Sequence, residues 1–145
     1  MNSLELNKIE SDDLAICVNY VVEEYENLVG HNLNSKSLSA RFSRDIKDLD
    51  GFKVSLSGAL IGFAFYEEWS GNLLITSFFI NKKYRKSKVM YMLFKACVEA
   101  SKDMPMIYIP LHDKMTLPGA LCSNGIINKN KAIDFINKVE SRYKK

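Results

Sequence analysis

LLITSFFINKKYRKSKVMYMLFKACVEASKDMPMIYIPL, residues 73–111, decides how this chain folds. It opens with Leu73 to Ile80, a run rich in β-branched and aromatic side chains that reads as a strand. A basic junction follows, with Lys82, Lys83, Arg85, Lys86 and Lys88. Val89, Met92, Leu93, Ala96 and Ala100 then recur at three- and four-residue steps, the apolar stripe of a helix that Asp103 to Pro105 ends. MIYIPL (106–111) is a second short strand. Strand, helix and strand at this length form a βαβ unit, whose right-handed crossover sets its two strands side by side and parallel.

Ahead of this unit, FKVSLSG (52–58), ALIGFAFYEEW (59–69) and the strand at 73–80 are separated by Ser57-Gly58 and by Ser70-Gly71-Asn72. Those turn residues predict a three-stranded antiparallel meander. Earlier still, SLELNKI (3–9) alternates as a short strand. Ser11, followed by Asp12 and Asp13, reads as the cap of a helix carrying Leu14, Cys17, Val18, Val21, Tyr25 and Leu28 on one face and stopping at Gly30. Leu38, Phe42, Ile46 and Leu49 mark a shorter second helix. Beyond the βαβ unit, 114–128 holds Pro118 and two glycines and reads as turns or a short helix. Residues 131–144 read as a terminal helix with Ala132, Ile136, Val139 and Tyr143 on one side.

The chain of 145 residues, 47% hydrophobic and 26% charged, matches one α/β domain over 1–145 with a substantial core. The longest apolar stretch, residues 58–66, is too short to span a bilayer, and the opening residues lack the pattern of a secretory signal. Cys17, Cys97 and Cys122 are odd in number and far apart, which suits reduced thiols in a cytoplasmic protein; no Cys/His spacing points to a metal. Residues 1–50 carry ten acidic and five basic side chains, whereas 51–145 carry seven and fifteen. An anionic partner is therefore expected at the second half, though a net charge of +3 is small for a dedicated nucleic-acid binder.

The junction at 81–89 has the chemistry of an anion site. A helix start presents unpaired backbone N–H groups and positive partial charge, and neighbouring Lys and Arg add charge-assisted hydrogen bonds to phosphate. A solvated basic loop has the same composition, so the order of elements must separate the two readings.

Strand, two helices, meander, helix and strand resembles the GCN5-related N-acetyltransferase (GNAT) superfamily, and FFINKKYRKSKVMYMLF (78–94) is similar to that family's fourth strand, pyrophosphate loop and third helix. The resemblance implies a mixed sheet in which an antiparallel meander precedes a βαβ unit, and acetyl-CoA as co-substrate. Its pantetheine arm would lie in a gap between Phe78–Ile80 and 107–110. Phe79 and Ile80 would contribute backbone contacts, and Arg85, Lys86, Ser87, Lys88 and Val89 would hold the pyrophosphate. Glu67 is the carboxylate nearest the place of the base that relatives carry on the fourth strand, and Asp113 is a second candidate. The implied reaction is transfer of an acetyl group to an amine of a small molecule or protein.

The sequence also departs from the family pattern. Lys88 and Met90 stand where relatives place small residues, the strand 73–80 has no carboxylate, and Leu121 aligns with a tyrosine that relatives use as acid. The family's final strand hairpin has no counterpart in the pattern of 114–128. These departures support a competing expectation: a catalytically inactive protein of this fold acting through protein contacts, such as a phage virion, assembly or host-inhibitory component.

Overall fold

The computed structural model describes residues 4–29, 50–84, 88–108, 122–123 and 125–143. Its centre is a seven-stranded mixed sheet in the order β1 (Leu4–Lys8), β2 (Gly51–Leu56), β3 (Ala59–Trp69), β4 (Asn72–Ile80), β5 (Met106–Tyr108), β7 (Ile126–Ile127) and β6 (Cys122–Ser123). Every neighbouring pair is antiparallel except β4 and β5. The meander and the parallel pair are those that the turn residues and the βαβ unit predict. Ser57 (φ 52°) with Gly58 (φ 84°), and Ser70 (φ 52°) with Gly71 (φ 81°), occupy the left-handed region that a two-residue hairpin turn requires.

Helix α1 (Leu14–Val29) lies on one face of the sheet; α2 (Lys88–Ser101) and α3 (Lys129–Tyr143) lie on the other. On the α2 face, Val54, Ala64, Ile75, Val89, Leu93, Phe94, Cys97, Tyr108 and Ile136 form one buried cluster. On the α1 face, Ile9, Cys17, Val18 and Val21 pack against Leu60, Phe63, Phe65 and Phe79. Gly62 lets α2 settle on the sheet: a Cβ there would stand 2.9 Å from Val89 Cγ1 and 3.2 Å from Phe79 O.

Three expectations are revised. The cap of the first helical turn is Glu10 rather than Ser11: a 3-10 turn (Ser11–Asp13) precedes α1, and Asp13 Oδ2 accepts the Glu10 N–H at 2.8 Å. Asp13 also pairs with Lys53 at 2.8 Å, a tie between α1's entry and β2 that outcompetes simple hydroxyl capping. The segment expected as turns contains a minimal hairpin, β6–β7, with Gly125 at φ 82°. β7 buries Ile127 against Met106, and that pairing across the sheet overrides the weak local strand signal. Finally, β5 starts its pairing earlier along β4 than expected: Leu73, Leu74 and Ile75 lie beside Met106, Ile107 and Tyr108. Ile107 is therefore within the ladder, not beside a gap. The expected helix at 38–49 and the stop at Gly30 fall outside the described residues.

Candidate functional site

Among the described residues, β4 is paired on both sides over Leu73, Leu74 and Ile75. The described ladder to β5 ends at Ile75 and Tyr108, while β4 continues through Thr76 to Ile80 alongside β3. At the same point the β3–β4 register slips: Phe65 faces Ser77 and Tyr66 faces Ile75, leaving Thr76 as an extra residue. This is a β-bulge in a central strand.

The bulge resets the alternation. Leu73 and Ile75 point to the α2-face core before it, Phe78 and Ile80 after it, and Phe79 points to the α1 face. Thr76 itself is exposed, an uncommon state for the middle of a seven-stranded sheet. Backbone in a central strand that is bulged and reachable can present N–H and C=O groups to a ligand instead of to a neighbouring strand. The polar pair Thr76-Ser77 inside LLITSFFI was the sequence signal for it.

The expected site residues fall into two groups around this point. Phe79 and Ile80 end β4, both with buried side chains, one on each face. The chain then passes through Asn81 and a 3-10 turn (Lys82–Tyr84) to Lys88, the half-buried first residue of α2. Val89 is fully buried against Gly62, and half-buried Met90 packs onto the α2-face core. Arg85, Lys86 and Ser87, like Asp113, lie outside the described residues. Glu67 is half-buried on β3, opposite Leu74 and two positions from Phe65, the residue facing the bulge. Since Tyr66 belongs to the α2-face core, the alternation places Glu67 on the α1 face. Glu68 is exposed on the other side.

A cavity of about 280 Å³ opens on the α1 face beside the end of β4. Tyr20, Glu23, Glu24 and Asn27 of α1 form one wall, Asn81, Lys82 and Lys83 the other, and Phe79 the floor. The Tyr20 and Phe79 rings stack at 4.8 Å between centroids, and Tyr20 donates its phenolic proton to Leu60 O at 2.8 Å. The sequence reading missed the α1 wall, because Glu23 and Glu24 look like solvated helix residues until the sheet is placed beside them.

Thiol chemistry is shut off at the two described cysteine side chains. Cys17 and Cys97 are buried, unpaired in any disulfide, and pushed up to about 12. Burial is the main cause for both, with the Asp13 carboxylate adding to it at Cys17. Such thiols stay protonated and are poor nucleophiles. Among the described residues no group of His, Cys, Asp and Glu is arranged to hold a metal, and no helix is long and apolar enough to cross a membrane.

No family model and no curated protein matches the sequence. Solved structures do. PaiA N-acetyltransferase from Thermoplasma acidophilum, in complex with coenzyme A, aligns at a TM-score of 0.59 and 12% identity over 86% of this chain and 96% of that one. The yncA protein of Salmonella typhimurium, with its cofactor acetyl-CoA, aligns at 0.58 and 9% over 73% and 69%. A GCN5-related N-acetyltransferase from Kribbella flavida aligns at 0.59 and 15% over 77% of this chain and 31% of that one. The chain thus has the fold of the GCN5-related N-acetyltransferases, in a form whose sequence has diverged far from theirs.

Proposed function

We propose that this protein transfers an acetyl group from acetyl-CoA to an amine of a small molecule or protein. The observation that carries the reading is the break in the register at Thr76, where an exposed bulge interrupts a central strand. That break fits an extended amide-bearing arm, which needs backbone partners along one strand edge. The bound thioester supplies an activated acetyl group; the chain's own residues do the rest.

Backbone groups from Thr76 to Ile80, those of Phe79 and Ile80 included, hold the pantetheine arm. The opening N–H groups of α2 at Lys88 and Val89, with the Lys88 ammonium, take the pyrophosphate, and Arg85, Lys86 and Ser87 precede them in the chain. Glu67, on the α1 face beside the bulge, removes the proton from the acceptor amine, directly or through one water. Asp113 is the second candidate for that step. Calorimetry with acetyl-CoA tests the reading: micromolar binding, weakened at least tenfold in Lys88→Ala, is expected. Glu67→Gln should then lower kcat on an acceptor by about a hundredfold with acetyl-CoA binding unchanged. Absence of heat at high protein concentration would sink the reading.

One observation favours the second reading, an inactive protein of this fold that works by protein contacts. Glu67, Leu74, Ile107 and Ile126 form a cross-strand row on the α1 side of the sheet, with Ile126 65% exposed and Trp69 58% exposed at the nearby hairpin. Clustered exposed apolar side chains suit a protein partner.

A further inference from the structure

We infer that the outer edge of β1 is an interface between two copies of this chain, joined antiparallel across a two-fold axis at Leu6 into one continuous sheet. β1 lies three strands from β4, so the inference stands apart from the acetyl-transfer reading.

The backbone fixes which groups face outward. β1 is the first strand in the sheet order and has β2 on one side. Ile9 donates its N–H to Gly51 O at 3.1 Å, and the β1–β2 register sets those two residues opposite each other. Bonded and non-bonded pairs alternate along an antiparallel ladder. Asn7 with Lys53 and Glu5 with Ser55 are therefore bonded pairs, and the N–H and C=O groups of Leu4, Leu6 and Lys8 point away from β2. Among the described residues no further strand meets them.

This edge lacks the usual protections of a terminal strand. Its five-residue register with β2 is unbroken by a bulge, and LELNK contains no proline. Lys8, its single cation, stands at one end. The side chains also leave an apolar surface. Ile9 belongs to the α1-face core and Leu4 packs on the α2-face core, so alternation puts Leu4, Leu6 and Lys8 on the α2 face. Leu6 lies beside the fully buried Val54 yet is itself 39% exposed. One more strand would supply the cover it lacks.

The strand complements itself best in one register. Outward groups must oppose outward groups, so Leu6 of one copy can face Leu4, Leu6 or Lys8 of the other. Against Leu4, the two Glu5 carboxylates stand directly opposite and repel. Against Lys8, the ammonium end lies over the apolar side chain. With Leu6 facing Leu6, the Glu5 carboxylate meets the Asn7 amide, the Lys8 stem lies along Leu4, and about six backbone hydrogen bonds form. The two-fold closes on itself, so pairing through β1 stops at the dimer. So short an edge gives a weak interface, with a Kd on the order of 10–100 µM.

Sedimentation velocity from about 5 to about 500 µM protein tests the inference. A monomer passing to a dimer over that range is expected; a monomer throughout overturns it. Leu6→Lys sets like charges on the axis and should weaken the dimer at least tenfold. Leu6→Pro removes an N–H that no internal hydrogen bond uses, so it should remain folded by circular dichroism and stay monomeric. A dimer in Leu6→Lys as tight as the parent's overturns the placement at β1. Leu6→Cys keeps the test decisive if either variant misfolds. Opposed Cα atoms of a bonded pair stand about 5.5 Å apart, within disulfide reach. Mild oxidation should link Leu6→Cys into a covalent dimer far more than Trp69→Cys, an exposed position on the β3–β4 hairpin. Equal cross-linking of the two, or none at Leu6→Cys, overturns the two-fold.

Discussion

On the α2 face of the sheet, Phe94 is fully buried, with Phe78 at 5.1 Å and Phe135 at 6.3 Å between ring centroids. On the α1 face, Phe79 stacks on Tyr20 at 4.8 Å and on Phe63 at 5.5 Å, yet a cavity opens at its edge. The first face is closed from both ends. Lys95 and Tyr91 of α2 meet Glu140 of α3 at 2.7 and 3.0 Å, and Lys129 donates to Lys102 O and Met104 O at 2.8 and 2.9 Å. Among the described residues, the second face is covered by the apolar side of α1. One strand, β4, serves both: its side chains beyond the bulge supply Phe78 to the packed face and Phe79 to the open one. Aromatic content alone does not distinguish a core from a site; what matters is whether the element lying over it continues apolar.

The largest expected effect that sharpens this contrast is Phe94→Ala. Truncating a fully buried ring between two others should cost about 3–5 kcal/mol in urea unfolding, and should lower the melting temperature accordingly. A loss below 1 kcal/mol would mean that the α2 face is not the stabilising one.

Gly62→Ala comes next. Its new methyl would meet Val89 and the Phe79 carbonyl, so α2 must lift from the sheet or the strand must shift. A loss of about 1–3 kcal/mol is expected, together with weaker acetyl-CoA binding, because the lifted helix start is the one that carries Lys88. Loss of stability with unchanged acetyl-CoA binding would separate the packed face from the site more sharply than the geometry does.

Alkaline titration probes a thiol behind each face. Cys17 and Cys97 ionise near 9 when the chain is unfolded and near 12 when it is folded. Below pH 9 both states hold the proton. Above it the folded state binds more protons than the unfolded one, so stability falls as pH rises, by about 1.4 kcal/mol per pH unit per thiol. Lys53, raised by its hydrogen bond to Asp13, adds loss in the same direction above about 10.5. Unfolding followed from pH 8 to 11 should show the decline, and Cys97→Ala should make it shallower. An unchanged slope would show that the α2-face thiol is reachable by water.

The smallest effect is expected at Trp69, exposed at the β3–β4 hairpin. Trp69→Ala should leave the melting temperature within about 1 °C of the parent, the usual outcome for an exposed position away from packing and caps. A larger shift would show that this ring belongs to a covered surface, which favours the protein-contact reading.

Turn chemistry and periodicity carried much of the fold. Ser57-Gly58 and Ser70-Gly71 need no tertiary contact to favour left-handed conformations, so the meander was readable from local residues. The α2 stripe is a periodic pattern of the same local kind, and its burial at Val89, Leu93 and Ala96 follows it. The sequence also shows the basic residues before α2 and the Glu67 carboxylate from which the proposed site is built. What escaped depends on two strands meeting. The bulge exists only relative to β3, and β6–β7 holds together because Ile127 finds Met106. The Glu10–Asp13 cap is reinforced by Lys53, forty residues away in sequence from Asp13.

By itself, then, the sequence determined the meander, the helices α1, α2 and α3 and the single parallel pair, because turn residues, apolar periods and crossover handedness act over short stretches of chain. Tertiary structure decided which residues of β4 lie beside β5, that Thr76 is extruded from the β3–β4 register, and that α1 and the turn after β4 line one cavity. Register and the distance between two surface patches are properties of packed pairs, and no single segment encodes them.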